Sequence, residues 1–269
     1  MKHILLAITL LGFSLGAIAQ SVEKEIALSS NSAKHSLEVM NINGPVTLTG
    51  YDGNTIKLNA EELKADDDYK ISIKNEDGHV LIYIDGPGVE VKRKEDRWSY
   101  RMNTQKGADA KYNIKVMVPN NIAVKASTVN KGDVLVTKMN GSVKANNVNG
   151  HVRVENVNSQ VEANTVNGDI WVQSKQSPRQ KTKFNTVNGE IHLEYPASFS
   201  GSVAYNSLHG DFFTNYDYKL GSETKRTNKG NLLKIGSNSV VEIGEVNANS
   251  PKIQVNTVNG SIYLKKSTK

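Results

Sequence analysis

The tripeptide Val-Asn-Gly recurs through the second half of this chain, and no other feature restricts its fold as tightly. Asn140, Asn149, Asn158 and Asn167 stand nine residues apart, in Met139-Asn140-Gly141, Val148-Asn149-Gly150, Val157-Asn158-Ser159 and Val166-Asn167-Gly168. The signature returns at Val129-Asn130, Val187-Asn188-Gly189, Val246-Asn247 and Val258-Asn259-Gly260. An internal period is read first because it sets the architecture. Between Gly150 and Asn158 the apolar Val152 and Val154 alternate with polar residues, which is the period of a strand with one buried face. Asn-Gly tolerates the positive φ that a tight turn requires. Each unit therefore reads as a short strand followed by a corner.

A two-residue Asn-Gly corner also closes antiparallel hairpins, so the wider spacing decides between the two. Taking every second corner, Asn130, Asn149, Asn167, Asn188, His209, Asn228 and Asn247 follow one another in steps of 18 to 21 residues. A steady step holding two strands predicts an all-β fold: a single-stranded parallel β-solenoid, a flattened β-helix or β-roll with about 20 residues and two strands per coil. The opposite corners absorb insertions at Ser177-Pro178-Arg179 and Pro196-Ala197-Ser198. On this reading Asn130, Asn149, Asn167, Asn188, Asn228 and Asn247 form a structural amide ladder at the strand spacing of about 4.8 Å. Val134, Val152, Ile170, Ile191, Phe212 and Leu232 form the matching apolar column inside.

The 269 residues contain no cysteine, which removes disulfides and thiolate metal sites. Residues 1–19 have the form of an export signal: Lys2 precedes an apolar run from Ile4 to Leu11, and Ala17-Ile18-Ala19 suits signal peptidase. The run is too short to span a bilayer, and no later stretch predicts a transmembrane segment. The expected address is the periplasm, the cell surface or the medium. A net charge of +6 is compatible with anionic envelope partners and too diffuse for a nucleic-acid protein.

The chain divides into the signal at 1–19, an N-terminal β region at 20–118, the regular solenoid at 119–264 and a basic tail at 265–269. Residues 86–111 interrupt the N-terminal region as an inserted basic and aromatic loop. Residues 22–40 and the tail are the expected caps of the solenoid's ends.

Three stretches together resemble the bacterial putative-adhesin family of β-strand-repeat proteins, whose biochemistry is largely unassigned. They are Ile42-Asn43-Gly44-Pro45-Val46-Thr47-Leu48, the strand Tyr112 to Pro119, and the Thr-Val-Asn-Gly repeats that follow. The resemblance spans roughly residues 36–264. It implies a surface or periplasmic β-solenoid with an adhesive role and no catalytic residues to carry over.

Three clusters are candidate sites. Arg93, Arg97, Trp98, Tyr100 and Arg101 combine flat apolar surface with cations, a pattern suited to an envelope or host-surface glycan or protein. Asp169, Glu190 and Asp211 follow turn glycines on three successive coils. Their stacked carboxylates would repel unless a cation or altered protonation relieves them, which makes them metal candidates or the acids of a polysaccharide-acting β-helix enzyme. Phe213, Tyr216 and Tyr218 would form an exposed aromatic platform. Among the six histidines there is no paired zinc spacing, and neither a nucleophile elbow nor a phosphate loop occurs. The expected function is therefore non-enzymatic binding or scaffolding without a cofactor, with the β-helix enzyme as the alternative.

Overall fold

A computed structural model describes residues 21–28, 35–64, 66–95, 97–103, 109–221, 226–229, 232–235 and 239–267. The expected signal and the last two residues of the tail lie outside them. The described residues form no helix, so none is long and apolar enough to cross a membrane. Two large, parallel-rich sheets face one another. Sheet I runs in the order Ser21–Ala27, Thr55–Lys64, Lys111–Pro119, Val46–Tyr51, Val134–Thr137, Val152–Val157, Ile170–Ser174, Ile191–Tyr195, Ile262–Lys266 and Phe212–Thr214. Sheet II runs Lys70–Glu76, His79–Asp85, Ser36–Met40, Ala123–Ser127, Val143–Asn146, Val161–Asn164, Thr182–Asn185, Lys252–Asn259, Gly201–His209, Ser239–Ile243 and Tyr218–Leu220.

Alternation within each strand builds the core between the sheets. In sheet I one inward column passes through Ile114, Val46, Val134, Val152, Ile170, Ile191, Ile262 and Phe212, each in register with the next. All but Phe212 are fully buried. Each such side chain contributes roughly 1.5–3 kcal/mol before chain entropy is subtracted. The facing column of sheet II is thinner: Ala126, Ala145 and Ala163 lead to Phe184, Val255 and Tyr205.

Each residue of the Asn-Thr-Val-Asn-Gly repeat has a distinct bonding duty. The Thr hydroxyl is buried and donates to the Gly carbonyl one rung away: Thr165 to Gly150 at 2.9 Å, Thr186 to Gly168 at 2.9 Å and Thr257 to Gly189 at 3.1 Å. The second Asn forms an amide ladder. Asn149 Nδ2 donates to Asn130 Oδ1 at 2.7 Å, Asn167 to Asn149 at 2.8 Å, and Asn188 to Asn167 at 2.8 Å. The first Asn forms a second ladder on sheet II, where Asn164 donates to Asn146 at 3.0 Å and Asn256 to Asn185 at 2.7 Å. The Gly lies against the backbone of the neighbouring rung: a Cβ on Gly189 would sit 2.0 Å from Gly168 O.

The rungs are not stacked in chain order, and this corrects the expected ladder. Lys252–Asn259 and Ile262–Lys266 insert between the rung of residues 182–195 and that of residues 201–214. The amide ladder consequently passes from Asn188 to Asn259, whose Nδ2 donates to Asn188 Oδ1 at 2.7 Å. Asn247 instead closes its own turn, with its Oδ1 accepting from Asn249 N at 2.9 Å. Asn228 lies in a separate hairpin, where Arg226–Lys229 pairs with Leu232–Ile235. The same hairpin takes Leu232 out of the sheet I column, and Ile262 holds the place after Ile191.

The N-terminal end is rearranged as well. Ser36–Met40 is an internal rung between Ala123–Ser127 and His79–Asp85 rather than a cap. Antiparallel strands close this end, Thr55–Lys64 and Ser21–Ala27 on sheet I and Lys70–Glu76 on sheet II. Glu23, Lys24 and Glu25 place charges along the outermost strand, which discourages further pairing. Within the stretch expected as a loop, Val89–Lys94 and Arg97–Met102 form an antiparallel hairpin. Its alternating Val89, Val91, Trp98 and Tyr100 give it an apolar side that packs on sheet II.

Candidate functional site

Outward-facing positions of sheet I carry the densest exposed chemistry. The residue following each inward apolar residue points to solvent, and register aligns Leu135, Arg153, Trp171, His192, Tyr263 and Phe213 across successive strands. Their rings stack from rung to rung. Trp171 and His192 have centroids 5.8 Å apart at 15°, His192 and Tyr263 4.6 Å apart at 5°, and Tyr263 and Phe213 5.0 Å apart at 12°. His151 leans on Trp171 from one side, 5.1 Å away at 56°. Phe213 ends the row and is 46% exposed.

Charged groups line both flanks. The Arg153 guanidinium lies 5.5 Å from the Trp171 ring centre and its Nε donates to Glu155 at 2.8 Å. Lys265 Nζ lies 5.5 Å from the Tyr263 ring centre. Glu190 bridges two rings, with Oε2 3.0 Å from His192 Nε2 and Oε1 accepting from Tyr263 Oη at 3.3 Å. Gln173 donates to Glu194 at 3.0 Å. Mutual stacking covers the ring faces, so the strip presents ring edges, cations and carboxylates. Ring edges carry the positive end of the aromatic quadrupole. Trp, Tyr and Arg are also the side chains over-represented at protein-binding hot spots.

The acidic candidates have other duties. Asp169 Oδ1 accepts from Glu190 N at 2.8 Å, and Asp169 N donates to His151 Nδ1 at 3.0 Å. Asp133 likewise accepts from His151 N at 2.8 Å. These side chains continue the inter-rung bonding, one position beyond the Gly. Asp211 is not stacked on Glu190, because the inserted rung puts Ser261 between them and Ser261 Oγ accepts from Asp211 N at 3.3 Å. Among the described residues no group of three His, Asp or Glu side chains is placed to hold a metal ion.

The basic and aromatic candidates separate in the same way. Trp98 is only 4% exposed and packs with Leu81 and Tyr83, so its indole is not available to a ligand. Its backbone N–H donates to the buried Glu38 carboxylate at 2.8 Å, and Lys125 donates to that carboxylate from the other side at 2.8 Å. Tyr100 Oη donates to Ile84 O at 3.0 Å, and burial, then the nearby Asp85 charge, pushes its pKa well up. Arg93 covers Trp98 at 5.5 Å, whereas Arg97 and Arg101 stay in solvent. Arg93, Trp98 and Tyr100 thus pack the hairpin onto sheet II, and Arg97 and Arg101 are the two of the five that face solvent. In the expected aromatic platform, Phe213 does face outward. Tyr216 is 5% exposed, with its hydroxyl donating to Tyr195 O at 2.8 Å, and Tyr218 lies on the opposite sheet.

Sequence reasoning missed Trp171, His192 and Tyr263. The available signal was an aromatic or imidazole ring immediately after an inward residue, in Ile170-Trp171, Ile191-His192, Ile262-Tyr263 and Phe212-Phe213.

A comparison with curated proteins gives no match. Among solved structures, a putative cell adhesion protein from Clostridium sporogenes aligns with a TM-score of 0.47 at 14% identity, covering 92% of this chain and 100% of that one. A putative adhesin from Bacteroides fragilis gives 0.31 at 11% identity, over 92% and 97% of the two chains. A putative lipid binding protein from Parabacteroides distasonis gives 0.30 at 12% identity, again over 92% and 97%. The match that decides membership is to the family described as Toastrack DUF4097; it extends over residues 25–265, and the chain belongs to that family.

Proposed function

We propose that this chain is an exported, non-enzymatic β-solenoid that binds a partner at the cell envelope or on a host surface, as an adhesin or scaffold. In this reading residues 1–19 direct export. The rungs form a flattened coil of about 20 residues with Val-Asn-Gly corners, and its stiffness holds the outer face of sheet I flat. The single observation that carries the proposal is the outward-facing Arg153–Trp171–His192–Tyr263–Phe213 strip, exposed at Arg153 and Phe213 and half-buried at the three rings between them. Its stacked rings leave few faces for a sugar to lie on, and its hot-spot residue types favour a protein surface as the partner.

The test has two parts. Protease treatment of intact cells, with a periplasmic protein as control, reports whether the chain is reachable from outside. Binding of the purified protein to isolated envelopes and to host-cell surfaces is then compared with that of a Trp171→Ala, Tyr263→Ala variant. Loss of a hot spot worth about 2 kcal/mol weakens binding roughly thirty-fold. Equal binding by a folded variant would remove the strip from the function.

A further inference from the structure

The insertion at residues 175–181 falls at a corner where the chain crosses from sheet I to sheet II. On the two preceding rungs this corner is tight, and Asn158 Nδ2 donates to Asn140 Oδ1 at 2.7 Å. The amide file stops there. The next corner is the insertion, and Asn158 Oδ1 accepts from no group among the described residues. The inserted loop is nevertheless held at its base. Lys175 N donates to Val157 O at 3.0 Å, and Ser174 Oγ donates to Gln176 O at 2.7 Å. Pro178 is buried, and Gln160 Nε2 donates to Lys181 O at 2.8 Å. Gln176, Arg179 and Gln180 stay exposed. A loop fixed in this way presents its free side chains with little left to order on binding.

Between the loop and the two tight corners lies a cleft of about 490 Å³, within the size range of small-ligand sites. Nine residues line it: five are amides, three are serines and the last is Arg179. Neither a carboxylate nor an apolar side chain is among them. The charge of the surrounding chain is one-sided as well, because residues 170–189 include Lys175, Arg179, Lys181 and Lys183 but no acidic residue. Further along the outer face of sheet II the cations are already paired, Lys144 with Glu162 at 2.9 Å and Lys125 with Glu38 at 2.8 Å. Arg179 has no carboxylate within ion-pair distance among the described residues.

We infer that this cleft is a binding site for an acidic saccharide. Its amides and hydroxyls each donate and accept, which is what a ring of sugar hydroxyls requires. The Arg179 guanidinium can take a sugar carboxylate through two parallel N–H···O bonds. A lipid or an apolar peptide would find no side chain to bury against, and a nucleic acid no ring to stack on. The cleft borders sheet II, whereas the strip lies on the outer face of sheet I, so this site stands or falls separately from the function proposed above.

Calorimetric titration of the purified protein at about 0.15 M salt, where diffuse attraction is screened, tests the inference. Uronic-acid and sialic-acid oligosaccharides are compared with a neutral oligosaccharide of the same length and with inorganic phosphate. The acidic oligosaccharides are expected to bind, and the neutral one and phosphate to bind about tenfold more weakly or less, as for loss of one charge-assisted contact. Arg179→Gln should weaken the acidic probes by roughly ten- to hundred-fold. Arg179→Lys keeps the charge but loses the fork, and should recover only part of that loss. Lys70→Gln removes the same charge from an exposed position on the outermost strand of sheet II and should change nothing. Failure of both acidic probes to bind would overturn the inference. So would equal binding of the neutral probe, phosphate binding as tightly as the saccharides, or equal losses in Arg179→Gln and Lys70→Gln.

Discussion

Replacing Gly189 by alanine sets two physical rules against each other, and they predict opposite signs. Where alanine can adopt a glycine's backbone conformation, the substitution stabilises by about 0.4–1 kcal/mol, because the unfolded chain loses freedom. Gly189 lies outside the left-handed region, so its φ raises no objection. The objection comes from the next rung. An alanine Cβ would lie 2.0 Å from Gly168 O and 2.5 Å from Gly168 C. Ordinary contact begins at 3.4 Å, so the two rungs must part by more than an ångström at this turn. Three bonds cross there: Thr186 Oγ1 to Gly168 O at 2.9 Å, Gly168 N to Asn188 O at 2.9 Å, and Glu190 N to Asp169 Oδ1 at 2.8 Å. At about 1 kcal/mol net for each bond, stretching all three costs about 3 kcal/mol, well above the entropic gain. The assay is urea unfolding, with the midpoint converted through the wild-type slope. Stability equal to or above wild type would refute the reasoning, because it would mean that the rungs separate at that turn without cost.

Two further outcomes follow from packing and burial. Trp98→Ala should cost about 3–5 kcal/mol of whatever holds the hairpin down, as expected for emptying an aromatic site in a small core. Tryptic cleavage at Lys92, Arg93 and Arg97 should accelerate while the main unfolding transition moves little; unchanged cleavage would mean that Trp98 does not anchor the hairpin. Burial pushes the phenols of Tyr112, Tyr205 and Tyr216 from 10 up to about 12. The folded state thus holds these protons more tightly than the unfolded chain. The associated stability is fully present below pH 10 and declines as pH rises from 10 towards 12, which urea midpoints across that range measure; a flat profile would refute it.

The repeat made the local structure legible because its signals are local. Alternation in Val152-Arg153-Val154 states which side chain turns inward, and Asn-Gly states where the chain bends. Both hold whatever rung lies next door. Rung order is different information. It depends on which coil fits best against residues 182–195, and the sequence period is blind to that choice. The ladder could therefore be followed through Asn188 and was lost at the next step, where Asn259 rather than Asn228 or Asn247 supplies the amide. The hairpin of residues 89–102 was lost for a related reason: its arginines and lysines hid a period of two whose apolar half is Val89, Val91, Trp98 and Tyr100.

The binding strip depends on that same choice of rung order. Placed in chain order, Phe213 would follow His192 directly and Tyr263 would lie elsewhere. The inserted rung places Tyr263 between them, 4.6 Å from His192 and 5.0 Å from Phe213. Side-chain shape accounts for the insertion. Residues 252–266 direct Ile253, Val255, Ile262 and Leu264 inward, all fully or nearly fully buried, and these fit a rung covered on both sides. Residues 201–214 bring Tyr205 and Phe212, which stack on each other at 4.6 Å. That bulky pair suits an end position, where Phe212 is covered on one side only. Placing the more compact aliphatic rung inside completes the core and aligns the outward rings, so one packing preference shapes both the interior and the strip.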